Sequence, residues 1–180
     1  MEIKPMTSIK RETIRAYLIE KVLPAIHRNW VREDSNMTIY IQQDNARTHI
    51  DPSDEQFRLA ASQHGLDIQL TCQPSNSPDL NILDLGFFNS IQALQQKECS
   101  RTVRELICAV EKSFNEYPAE KLNRVFLTLQ MCMREIMKVE GSNKYKIPHM
   151  NKARWEREGN LPTQVSCDYN LVQNVLNMLA

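Results

Sequence analysis

The chain has 180 residues, the size of one domain with room for a short extension. It carries 22 basic and 22 acidic side chains, which argues against a strongly basic nucleic-acid-binding domain. The 4 glycines are too far apart for dinucleotide- or phosphate-binding loops, and no apolar run is long enough to span a membrane. The 5 cysteines contain no CxxC pair, so we expect an intracellular protein with reduced cysteines.

A helix is predicted near the start of the chain. Apolar residues recur at helical spacing over residues 8–28, and Thr7 or Ser8 has a side chain suited to capping its first turn. Pro24 lacks a backbone N–H, so we expect it to disturb the helix close to its end.

A strand–helix–strand unit follows. Residues of about 37–43 and 66–72 are β-branched or alternate apolar with polar side chains, which predicts two strands. A helix over 52–64 is expected between them, with Asp51 as its cap and Gly65 as its stop. Two strands joined through a helix in this spacing should run parallel.

The C-terminal half is expected to be rich in helices. Apolar spacing predicts helices over about 78–97, 101–116 and 119–140, and another short one at the very end. The apolar pattern fades after residue 140. We therefore expect a main domain over 1–140 and a basic, aromatic tail over 141–180.

Two aspartates are the candidate catalytic residues. Asp44 directly follows a predicted parallel strand, where side chains reach the crevice used for binding in open α/β sheets. Asp84 lies in the first turns of the helix after the next strand. Paired carboxylates repel unless a cation is present, and hard oxygen ligands suit Mg²⁺ or Mn²⁺. The alternative is that each is a turn residue or helix cap, which is the commoner role of an Asp after a strand.

Asn45 and His49 stand close to the first aspartate. They could orient Asp44 or line the same site. A hydrogen-bonded turn with no functional role fits these two residue types equally well.

The tail interleaves basic and aromatic residues, which is one pattern of a phosphate-contacting surface. The alternative is a solvated tail with Trp155 packed on the body of the protein. The candidate nucleic-acid-binding residues are Lys144, Lys146, Lys152, Arg154 and Arg157.

Two motifs resemble the catalytic domain of mariner-type DNA transposases. They are QQDNARTH at 42–49 and NSPDLNILDLGFF at 76–88. The resemblance extends over residues of about 8 to 140. It puts the family's second and third acids at Asp44 and Asp84, and the final Asp followed by LGFF is similar to the mariner-like branch of plants.

The resemblance implies an RNase H-like fold of the DDE/DDD superfamily. In that family three acids hold two divalent ions, Mg²⁺ or Mn²⁺, which cut DNA at transposon ends and join it to a target. It therefore implies that Asp44 and Asp84 are catalytic metal ligands, with Asn45 and His49 beside them. It also implies DNA as partner and a nuclear location.

The sequence departs from the family at the first acid. No segment matches it, and Asp34, ten positions before Asp44, is a poor substitute. The family's helix-turn-helix domains also have no counterpart. We therefore expect a truncated RNase H-like fold, the C-terminal part of a transposase, that is inactive alone.

The missing strand is expected to leave the sheet with an open edge, and open edges favour self-association. The expected protein partners are a second copy of the chain or a full-length transposase subunit. The alternative function is a non-catalytic, transposase-derived protein that binds nucleic acid or such a subunit.

Overall fold

The computed structural model describes residues 6–31 and 36–180. The chain divides into two compact units, Met1–Ser75 and Asn76–Ala180. The elements of the first unit are α1 (Arg11–Tyr17), a π-helical turn (Leu18–Val22), α2 (Leu23–Asn29), β1 (Ile39–Gln43), α3 (Glu55–Ala61), a 3₁₀ turn (Gln63–Gly65) and β2 (Ile68–Cys72). Those of the second are a 3₁₀ turn (Pro78–Leu80), a π-helical turn (Leu83–Phe87), α4 (Phe88–Gln95), α5 (Val103–Asn115), α6 (Ala119–Lys138), α7 (Lys152–Arg157) and α8 (Tyr169–Leu179).

The helix predicted near the start is present, but its cap differs from the prediction. Helix α1 begins after Lys10, which makes no side-chain capping bond, so Thr7 and Ser8 do not cap it. A π-helical turn directly precedes α2, in which Pro24 occupies the first turn. The wider π turn relieves the clash between the proline ring and the preceding turn of the helix.

The predicted parallel pair of strands is confirmed. Strands β1 and β2 run parallel, with Ile39 beside Ile68 and Gln43 beside Cys72. Among the described residues the sheet has these two strands. One face is buried, and Tyr40 on the other face is 64% exposed. The buried core of this unit consists of Leu23, Ile39, Ile50, Phe57, Ala61, Ile68 and Leu70.

Helix α3 begins three residues later than predicted because a different aspartate caps it. The carboxylate of Asp54 accepts a hydrogen bond from the backbone N–H of Phe57 at 3.0 Å. Asp51, the predicted cap, instead accepts from the backbone N–H and the hydroxyl of Ser53 in the preceding turn. Helix α3 itself ends at Ala61, earlier than predicted, and Gly65 instead ends the 3₁₀ turn that follows, with a φ of +77° that favours glycine.

Helix α6 is the centre of the second unit. Its Leu127 and Cys132 are fully buried, and the turns that precede α4 pack against it together with α8. The helix predicted over 78–97 is divided into a 3₁₀ turn, a π-helical turn and α4. A Cβ on Gly86, in the π-helical turn, would lie 3.4 Å from Val125 Cγ1, so this turn lies close against α6.

The C-terminal segment contains two helices that follow α6. The short helix predicted at the chain end is α8, whereas α7 lies in the basic segment where no helix was predicted. Side chains of α6 hold the connecting loop, because the amide of Asn123 donates to Pro162 O at 3.0 Å and Gln130 Oε1 accepts from the N–H of Val165 at 2.7 Å. In the ranges 6–31 and 36–180, no helix combines the length and apolarity that a bilayer-crossing helix needs.

Candidate functional site

The first candidate acid, Asp44, comes directly after β1. Its Oδ1 accepts a hydrogen bond from the backbone N–H of Ala46 at 2.8 Å and lies 2.9 Å from Nδ1 of His49. About half of its side chain, 48%, is exposed. Within the described part of the chain, no hydrogen bond reaches Oδ2 of this residue. Asp44 therefore has one oxygen fixed by the loop, while its second oxygen makes no hydrogen bond to the described residues.

His49 folds back onto the acid. Its Nδ1 lies 2.9 Å from both the backbone oxygen and the Oδ1 of Asp44. Both of these atoms are acceptors, so Nδ1 carries the proton that is shared between them. The contact with the backbone oxygen makes a hydrogen-bonded turn, and the contact with Oδ1 orients the carboxylate. Both roles predicted for His49 are therefore compatible with the same geometry.

Asn45 has a different role from its neighbour. Its side-chain amide donates to the carbonyl of Gln73 at 2.9 Å, just past the end of β2. The N–H of Gln73 in turn donates to the carbonyl of Gln43 at 2.8 Å. Asn45 therefore ties the loop after β1 to the loop after β2, and it fixes the backbone that carries Asp44 rather than the carboxylate itself.

The second candidate acid, Asp84, lies in the π-helical turn before α4 and is exposed. The amide of Asn81 donates to Asp84 Oδ2 at 2.9 Å, and Asn81 Oδ1 accepts from the N–H of Leu83 at 3.1 Å. The side chain of Asn81 thus bonds the first turn of this segment through its oxygen and orients the acid through its amide group. No role was predicted for Asn81, although an acid three residues after a polar residue is the spacing found in helix-capping motifs.

The donor chemistry of both acids suits a hard divalent cation, since each offers carboxylate oxygen to solvent. Asp44 belongs to the first unit and Asp84 to the second, and each has one hydrogen-bonded oxygen. Across residues 6–31 and 36–180, no group of three or more His, Cys, Asp or Glu is arranged to hold a metal. Asp34 lies outside the described residues.

Among the candidate nucleic-acid-binding residues, Lys152 is held within the protein. Its ammonium group donates to the carbonyl of Arg124 at 2.7 Å and to the hydroxyl of Thr128. Burial lowers the pKa of Lys152, and the nearby charge of Arg124 acts in the same direction. These contacts attach α7 to α6, and they argue against Lys152 as a phosphate ligand.

The other candidate nucleic-acid-binding residues differ in whether they form an ion pair within the protein. Arg154 pairs with Glu158 at 2.8 Å, and the Nε of Arg157 donates to a backbone carbonyl on its own helix. Lys144 and Lys146 are exposed, and in the described residues neither makes an ion pair. Among the described residues, unpaired positive charge therefore remains at Arg157 and at these two lysines before α7.

Comparison with protein-family models, with curated proteins and with solved structures found no match. The sequence motifs and the geometry around the two acids are therefore the observations that bear on function. Each motif coincides with a compact network of hydrogen bonds centred on a solvent-accessible carboxylate.

Proposed function

We propose that this chain derives from a mariner-like DNA transposase, and that Asp44 and Asp84 are ligands for the divalent ions of DNA strand cleavage and transfer. The observation that carries the proposal is the setting of Asp44. A half-exposed carboxylate stands at the carboxyl end of a parallel strand, with a histidine on one oxygen and the other oxygen open. Side chains at such strand ends are the usual functional groups of open α/β sheets.

The neighbouring side chains prepare the acids for this role. His49 restrains the carboxylate of Asp44, and Asn81 restrains that of Asp84, so each acid presents a defined oxygen to solvent. Divalent ions, when bound, activate the attacking oxygen and stabilise the leaving oxygen of a phosphodiester. Pre-oriented ligands lose less conformational entropy on binding an ion than freely rotating side chains do.

The proposal includes low activity for this chain alone. The resemblance gives no counterpart to the family's first acid in residues 1–180. With one carboxylate fewer, less negative charge offsets the cost of removing water from the ion, so its affinity is expected to be weak. Transposase chemistry would place the protein with chromosomal DNA in the nucleus.

Calorimetric titration with Mn²⁺ tests the proposal. The samples are the parent chain, Asp44→Asn, Asp84→Asn and, as a matched control, Asp51→Asn. Asparagine keeps an oxygen acceptor of nearly the same shape but removes the charge that a cation needs. Asp51 is a suitable control because its carboxylate holds a local turn in the same loop region.

We expect the parent and the Asp51 variant to bind Mn²⁺ alike, and the other two variants to bind at least about tenfold more weakly, the effect of about 1.4 kcal/mol. Binding by the parent would justify a DNA-nicking assay with Mn²⁺. The metal-ligand assignment is overturned if all four proteins bind equally or if the parent does not bind. The alternative function, a non-catalytic protein that binds nucleic acid or a transposase subunit, would then be favoured.

A further inference from the structure

Helix α5 leaves most of its apolar side uncovered. It packs against α4, and its buried positions are two small residues, Ala109 and Ser113. The larger apolar side chains lie next to this contact, on a stripe about 100° wide at 3.6 residues per turn. The stripe consists of Val103 (60% exposed), Leu106 (41%), Ile107 (39%), Val110 (42%) and Phe114 (61%).

The apolar stripe continues beyond α5 onto the start of α4. The ring of Phe114 meets that of Phe87 nearly edge to face, with 6.0 Å between their centroids. Phe88, the next residue, is 49% exposed. Uncovered aromatic and branched side chains in one continuous area are typical of a surface that binds another protein.

Helix α5 carries two opposite charges on one flank of the apolar stripe. Arg104 and Glu111 are seven residues apart, which is close to two turns, so both stand on the same flank of the stripe. Glu105 and Lys112 complete the charged residues of the helix, so its net charge is zero. A neutral helix has no electrostatic attraction to an anionic membrane or to a nucleic acid.

We propose that α5 pairs with the α5 of a second copy of this chain, antiparallel and about a two-fold axis close to Ile107. In that arrangement Arg104 of each copy faces Glu111 of the other, and the two apolar stripes cover each other. In a parallel pair the two-fold axis runs along the helices and puts these flanks on opposite sides of the interface, so Arg104 would have no Glu111 of the other copy to face.

The expected dimer is a weak one. A helix of 13 residues is about 20 Å long, so the paired stripes bury less than the roughly 1,600 Å² of a standard stable interface. We therefore expect monomer and dimer to exchange at micromolar concentrations of protein. This surface lies on α5 and is independent of both acids, so a failed metal titration leaves the proposal intact.

The test is analytical ultracentrifugation of the full chain over a wide range of concentration, with charge reversals on the flank. The variants are Arg104→Glu, Glu111→Arg and the double exchange, with Glu116→Arg outside α5 as control. All of these positions are exposed, so circular dichroism should show unchanged helix content in each.

We expect the parent, the control and the double exchange to dimerise, and each single reversal to weaken dimerisation by about tenfold. Rescue by the double exchange is specific to the antiparallel pairing of these two positions. A parent chain that stays monomeric at all concentrations overturns the proposal. Single reversals that dimerise like the parent, or a double exchange that fails to restore the dimer, overturn it as well.

Discussion

The guanidinium group of Arg15 forms an ion pair with the carboxylate of Asp54, 39 residues further along the chain. Nε lies 3.1 and 2.9 Å from the two carboxylate oxygens, and Nη2 lies 2.8 Å from Oδ2. The same carboxylate caps α3 through the N–H of Phe57. The carboxylate of Asp54 therefore links α1 to the start of α3.

Removing this link should destabilise the first unit. We expect Asp54→Ala to lower the free energy of unfolding by about 2 kcal/mol, through loss of a helix cap and of charge-assisted hydrogen bonds. Asp54→Asn should lose about half as much, because asparagine is an equally good cap. Urea unfolding followed by Trp30 fluorescence in a Trp155→Phe background reports on this unit, since the chain has 2 tryptophans.

Two control variants sharpen that measurement. Asp51→Ala removes an exposed carboxylate of the neighbouring turn and should cost clearly less than Asp54→Ala. Arg15→Lys keeps the charge but loses the planar two-pronged geometry, so an intermediate cost is expected. Equal unfolding midpoints for Asp51→Ala and Asp54→Ala would contradict the assigned role of Asp54.

Because of this ion pair, we also expect the stability of the protein to depend on pH. The hydrogen bond from Arg15 holds the pKa of Asp54 below its ordinary value, against the opposing effect of burial. The folded-state pKa is thus lower than the unfolded one, so the stabilisation is complete above about pH 4 and disappears as pH falls through the folded value. Hydrogen bonds from serine and threonine hydroxyl groups also lower the pKa values of Asp51 and Asp67.

Unfolding midpoints measured from neutral pH down to pH 3 should therefore fall steeply for the parent below about pH 4. The Asp54→Asn variant should show a shallower fall, because its side chain takes up no proton. Parallel curves for the two proteins would mean that Asp54 contributes little to acid unfolding.

Asn45 is expected to act on the loop that presents Asp44. Asn45→Ala removes the hydrogen bond to the carbonyl of Gln73 and should cost about 1 kcal/mol of stability. It should also speed amide hydrogen exchange in the loop after β1, while exchange in β2 changes little. Asn29→Ala, which loses a local bond to Ala25 within an exposed helix end, is the matched control and should leave the loop unaffected.

Variants of Lys152 should affect the stability of the fold, whereas variants of the two exposed lysines should affect nucleic-acid binding. Lys152→Met removes the bonds to Arg124 and Thr128, so it should lower the stability of the second unit by about 1–2 kcal/mol. The double variant Lys144→Ala, Lys146→Ala should leave stability unchanged but weaken any binding of duplex DNA and reduce its dependence on salt. Fluorescence anisotropy with a labelled duplex and thermal melting distinguish the two effects.

Most elements of this fold follow from local sequence patterns. β-Branched and aromatic residues around Ile39 and alternation around Ile68 predicted the two strands, and their separation by a helix predicted that they run parallel. The caps were less predictable, because Asp51 and Asp54 are both suitable. Arg15 forms its ion pair with Asp54, and a partner 39 residues away is invisible to a local pattern.

The candidate site was predictable in part. The motifs identified Asp44 and Asp84, and the histidine beside Asp44 does contact it. The separate role of Asn45 depends on the position of Gln73, which only the pairing of the two strands determines. The basic residues near the end were predicted as a group, but burial separates Lys152 from the exposed Lys144 and Lys146.

The sequence by itself determined where both strands and most of the helices form, because hydrophobic periodicity and capping residues act over a few neighbouring positions. Tertiary structure decided which apolar surfaces are covered. Helix α5 has a strongly apolar stripe, yet it buries Ala109 and Ser113 beside α4 and leaves Val110 exposed. Periodicity shows that a helix has an apolar side, whereas burial depends on which neighbour reaches that side, and that is settled by packing between segments far apart in the chain.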